Sequence, residues 1–139
     1  MSTRSQRLRR VGALAVLVVS ALVGPAVPAS YAAPETPYRV KAHLVDEQVN
    51  LGVEVQIYGT VRPLAPGRRV RIQVRPVGGP WRTVAVSFLS PHRGTWDYPY
   101  MAPAAGTYEL RAIKNRSDGH SMGVSEIVTA TVVSNTLPG

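Results

Sequence analysis

At 139 residues, 45% hydrophobic and 17% charged, the chain has material for one compact domain behind a short leader. Sixteen Lys and Arg against eight Asp and Glu give a formal charge of +8, which raises nucleic acid as a partner. No cysteine is present, which excludes disulfides, thiol nucleophiles, thiolate metal sites and thiol redox chemistry together.

Residues 1–32 read as a secretory signal peptide. Arg4, Arg7, Arg9 and Arg10 form a basic head, the apolar run VGALAVLVVSALV follows from Val11 to Val23, and GPAVPASYAAP breaks it. The run is too short to stay in a bilayer as a spanning helix. Small residues at −3 and −1, Ser30 and Ala32, place cleavage after Ala32, with Ala29 as the alternative. Arg9-Arg10 leaves twin-arginine export open beside the general secretory route, although Val11, Gly12 and Ala13 lack the bulky pair that usually follows. With no Cys at the cut to take a lipid and no later segment of transmembrane length, no stable membrane insertion is expected after cleavage. The expected location is secreted and extracellular, with association to the cell wall open. Twelve Lys and Arg then face eight acids, so the charge falls to +4 and the nucleic-acid reading goes with it.

Beyond the leader, residues 33–37 are expected to be flexible, 38–133 to form the folded domain, and 134–139 to be a frayed tail. Alternation with period two recurs throughout. Tyr38, Val40, Ala42 and Leu44 point one way in the first predicted strand, and Val53, Val55 and Ile57 in the second. Val70, Ile72 and Val74 alternate with Arg69, Arg71, Gln73 and Arg75 in the third, the clearest case. Val84, Val86 and Phe88 are the predicted inward set of the fourth, Trp96, Tyr98 and Tyr100 of the fifth, and Tyr108, Leu110 and Ala112 of the sixth. A seventh run, EIVTATVV from Glu126 to Val133, leaves its inward parity open. Pro63, Pro66 and Gly67, then Gly78-Gly79-Pro80, then Ser117-Asp118-Gly119 supply turns between them. Seven short strands with one apolar face each predict an all-β, seven-stranded antiparallel sandwich.

The stretch from Gly59 to Arg111 resembles the immunoglobulin-like, fibronectin-III-like domains of secreted actinobacterial proteins. The matching pieces are YGTVRPLAPGRRVRIQ, GGPWRTVAV, RGTWDYPY and AAGTYELRA. The resemblance implies an immunoglobulin-like sandwich acting as an adhesive, spacer or binding module, with no catalytic residues to carry over. Tyr108, two residues after Gly106, resembles the tyrosine corner of such folds. Where the family usually has an Asp-containing turn this chain reads Ser90-Pro91-His92-Arg93-Gly94, so a calcium role is not implied.

Catalytic patterns are weak. His43, His92 and His120 lie in different predicted elements, and none has a nucleophile context. Asp46 and Glu47 are neighbours on extended chain and point apart, which does not suit paired-carboxylate chemistry. Asp118-Gly119-His120 reads as a turn rather than a metal site, and Asn115-Arg116-Ser117 fits a glycosylation acceptor. No metal and no cofactor is expected, and no enzymatic activity.

The candidate binding residues are Arg69, Arg71 and Arg75, which share one face of the third strand, together with Trp81 at the hairpin. Arg68 adds charge but falls on the opposite face. Trp81 reads either as a stacking platform for sugar or as packing over the sheet edge. The sequence therefore predicts a monomeric, secreted binding or structural module that meets a cell-envelope polymer or protein through anionic groups. A secreted inhibitor of an extracellular enzyme is the alternative.

Overall fold

The computed structural model describes residues 34–134; the predicted leader and all but Ser134 of the predicted tail lie outside them. These residues form eleven strands and no helix: β1 (Thr36–Pro37), β2 (Arg39–Leu44), β3 (Gln48–Asn50), β4 (Val55–Arg62), β5 (Arg69–Pro76), β6 (Arg82–Phe88), β7 (Thr95–Tyr100), β8 (Gly106–Lys114), β9 (His120–Ser121), β10 (Gly123–Val124) and β11 (Val128–Val133). One sheet runs β2-β4-β7. The larger runs β3-β11-β8-β5-β6, with β10 added to β8. In chain order β2 and β4 lie in the smaller sheet, β5 and β6 in the larger, β7 in the smaller and β8 and β11 in the larger, so the chain crosses between the sheets as in the Greek-key connections of an immunoglobulin-like sandwich.

Alternation decides which side of each strand meets the shared core. Val40, Ala42, Val55, Ile57, Val61, Trp96 and Tyr100 from the smaller sheet pack in one cluster with Val70, Ile72, Val74, Leu110, Ala112, Ala130 and Val132 from the larger. The open parity of the last strand is settled in favour of Ala130 and Val132. Tyr108 makes the corner its position suggested: its hydroxyl donates to the Ala104 carbonyl at 2.7 Å.

Five expectations need correction. The strands number more than seven because β1, β3, β9 and β10 are two or three residues long, too short to show a period. The sandwich is not wholly antiparallel: β3 runs parallel to β11, and β1 parallel to β9. The chain leaves the smaller sheet after Leu44 and joins the larger one at β3, which lies alongside the last strand in the same direction. Thr36 and Pro37, expected in a flexible lead-in, are held against His120 and Ser121. Val53 was expected inward but lies in the turn before β4 and is exposed.

The largest departure is in β6. Gln73 pairs with Thr83 while Ile72 pairs with Ala85, so Val84 is an extra residue, a β-bulge. One extra residue reverses the parity of everything after it. Val86 and Phe88, predicted to be core, therefore face out, and Phe88 is 68% exposed.

Trp96 is buried, yet its indole N–H finds no acceptor among the described residues. An unpaired buried donor carries a cost of about 1–3 kcal/mol. Trp96→Phe removes that donor and keeps most of the ring, so it should shift unfolding free energy by less than about 1 kcal/mol, whereas Trp96→Ala should cost about 3–5 kcal/mol. Urea denaturation of the two variants checks this; equal losses would show that the nitrogen is no liability.

Candidate functional site: a cationic face on the larger sheet

Inward Val70, Ile72 and Val74 fix the outward direction of Arg69, Arg71, Gln73 and Arg75 on β5. Strand β8 lies beside β5 with Arg75 opposite Glu109, Gln73 opposite Arg111 and Arg71 opposite Ile113. Four guanidiniums, Arg69, Arg71, Arg75 and Arg111, thus share one face with a single carboxylate.

Their environments differ. Arg75 Nε donates to Glu109 Oε1 at 2.6 Å, a partly buried ion pair. Arg111 Nε donates to Gln73 Oε1 at 2.9 Å, and Gln73 Nε2 donates onward to Thr83 Oγ1 at 3.2 Å. Arg71 Nη2 donates to Asn115 Oδ1 at 3.1 Å, while its buried Nε has no partner among the described residues. Arg69 lies over the Phe88 ring at 5.9 Å and makes no ion pair among the described residues. Burial, and then the like charges of Arg75 and Arg71, push the Arg111 guanidinium below its ordinary range. The face therefore holds more positive charge than its own groups compensate.

Trp81 joins this face. The turn at Gly78, which needs φ of +88°, and Gly79-Pro80 carry the chain from β5 into β6. Trp81 then rests with its ring centre 4.4 Å from the Arg75 guanidinium carbon and 4.1 Å from that of Arg111. Cation–π contact of this kind holds a guanidinium in one orientation. Trp81 is half-buried over side chains of β5 and β8, not lodged in the core.

The predicted residues Arg69, Arg71, Arg75 and Trp81 thus lie on one surface. Sequence reasoning missed Arg111 and Glu109 as members of it, although both appear as outward positions in the sixth predicted strand. Which strand lies beside β5 is a long-range fact that alternation does not encode. Arg68, by contrast, is spent at the domain's end: Nε and Nη2 donate to Asp118 at 3.2 and 2.9 Å. Lys114 is buried there, and its Nζ donates to the Asn115 carbonyl and to Ser117 Oγ, both at 2.8 Å. Arg116 pairs with Glu35 across the entry to β1.

The three histidines sit on separate elements: His43 on β2 beside Tyr58, His92 in the turn before β7, and His120 on β9 beside Tyr38. Among the described residues no group of three or more His, Cys, Asp or Glu is placed to hold a metal ion. A second concavity, a groove of about 800 Å³, lies on the smaller sheet and includes Tyr58, Asp97 and Phe88 in its walls.

No protein-family model matches the chain, and no curated protein matches it. Among solved structures, superoxide reductase (neelaredoxin) from Ignicoccus hospitalis is similar with a TM-score of 0.47 and 12% identity over 70% of this chain and 81% of that one. The PKD domain of human KIAA0319 is similar with a TM-score of 0.39 and 15% identity over 88% of this chain and 98% of that one. Both scores are below one half, so neither likeness bears on chemistry, and the fold stands on its own strand order.

Proposed function

We propose that this chain is an exported, non-enzymatic binding module that acts outside the cell, at the envelope, by holding anionic groups on the outward face of β5 and β8. The observation that carries the proposal is the imbalance on that face: Arg69, Arg71, Arg75 and Arg111 against Glu109 alone. Guanidinium N–H groups suit the paired oxygens of phosphate and carboxylate. Gln73 and Trp81 hold Arg111 in place before any ligand arrives, which lowers the entropy cost of binding. Export is supported by the basic head and apolar run of residues 1–32, and the absence of cysteine suits a domain that stands on core packing.

The test is retention of the folded domain by an immobilised poly(glycerol phosphate) polymer. Binding should fall steeply as salt rises from about 50 to about 500 mM, because the screening length shortens. Arg69→Ser, Arg71→Ser and Arg111→Ser together should abolish retention while the thermal melt stays that of the parent. Salt-insensitive binding, or retention unchanged in that variant, overturns the proposal.

A further inference from the structure

The groove on the smaller sheet differs in chemistry from the cationic face. Its floor is a cross-strand row: His43 on β2, Tyr58 on β4 and Asp97 on β7 stand opposite one another, all on the outward face. Thr60 lies two residues along β4 on the same face, and Phe88 forms part of the wall from the far side. Tyr58 is 44% exposed and Phe88 68%, so two aromatic rings border one concavity without being covered.

The polar groups between them are unspent. The Tyr58 and Thr60 hydroxyls and the Asp97 carboxylate have no hydrogen-bond or ion-pair partner among the described residues, and the His43 ring makes only a ring contact with Tyr58 at 5.5 Å. The groove's walls include no Lys or Arg, and Asp97 is their one carboxylate.

That combination selects a ligand. A purely apolar molecule would bury the Asp97 carboxylate without a partner, at a cost of a few kcal/mol. An anion would face that carboxylate, and the cations of this sheet face, Arg39, Lys41 and Arg62, line the neighbouring concavity beyond Thr60 and not the groove's own walls. A neutral sugar satisfies both demands: the apolar C–H face of a pyranose covers an aromatic ring, and its hydroxyl rim donates to a carboxylate and exchanges hydrogen bonds with Tyr, Thr and His. We propose that this groove is a saccharide-binding site that takes neutral hexopyranose units. It goes beyond the anion-binding reading and stands on other residues; the two sites meet only at Phe88, whose other contact is Arg69.

The experiment titrates the isotope-labelled protein with four neutral tetrasaccharides, of β-1,4-glucose, α-1,4-glucose, mannose and N-acetylglucosamine, by two-dimensional amide NMR. At least one should give saturable shifts at Tyr58, Thr60 and Asp97 with a dissociation constant on the order of millimolar or tighter. Tyr58→Ala and Asp97→Asn should each weaken that affinity about tenfold or more. Both side chains face solvent, so the folded spectrum should persist; should Tyr58→Ala lose it, Asp97→Asn and Thr60→Val carry the test. Affinity should be indifferent to salt and unchanged in Arg71→Ser/Arg111→Ser, which separates this site from the cationic face. No shift with any of the four sugars, shifts centred on Trp81 instead of the groove, or affinity unmoved by the groove variants overturns the proposal.

Discussion

Gly59→Ala should leave little or no folded protein. Gly59 is the middle of β4, paired with Ala42 on one side and Trp96 on the other. A Cβ there would overlap the Lys41 carbonyl oxygen and lie 2.7 Å from Trp96 Cζ2, so both flanking strands are crowded at once. The indole is buried and cannot swing away, and the Lys41 oxygen cannot move without disturbing the β2–β4 ladder. Overpacking a core costs about 1–3 kcal/mol when side chains can adjust, and more when backbone must. A loss of at least about 3 kcal/mol lowers the melting midpoint of a domain this size by roughly 12 °C or more. Gly67→Ala is the control: its φ of +76° strains an alanine, but nothing lies within 4 Å of the new methyl, and a cost of about 1–2 kcal/mol is expected. Circular dichroism melts of the two variants decide it; a Gly59→Ala midpoint within about 3 °C of the parent would mean the strands separate at little cost.

What could be read from the residues follows from how local each cause is. Strand β5 was legible because every second residue is fully buried and every intervening one is long and polar. The tyrosine corner was legible because its partner, Ala104, is four residues away. Strand β6 was misread after Val84 because the bulge arises in its pairing with β5, and alternation within one strand carries no trace of a two-against-one register. The same limit hid the composition of the cationic face. Arg75 and Glu109 are 34 residues apart, and only the adjacency of β5 and β8 makes them partners. The groove was illegible for a related reason: His43, Tyr58 and Asp97 come from three strands, and each alone is an ordinary outward polar position.

The ion pair within the cationic face yields the sharpest prediction about anion binding. Arg75 is an obvious member of the ladder by sequence, yet its Nε is spent on Glu109, whereas Arg71 and Arg111 have neutral partners only. Removing Arg75 and Glu109 together, as Arg75→Ser/Glu109→Gln, leaves the net charge of the face unchanged and deletes a pair that already satisfies itself. Affinity for poly(glycerol phosphate) should then stay within about threefold of the parent. Arg71→Ser/Arg111→Ser deletes two uncompensated charges, each able to make a charge-assisted hydrogen bond, and should cost about a hundredfold or more. Glu109→Gln alone frees Arg75 and removes the one repelling carboxylate, so it should tighten binding a few-fold and steepen its salt dependence. The ordering is what matters: a ladder read from sequence makes Arg75 equal to Arg71, while the paired geometry makes it nearly silent until Glu109 is neutralised. Equal losses from the two double variants, measured at the same ionic strength, would return the site to the simple ladder and remove Glu109 from the mechanism.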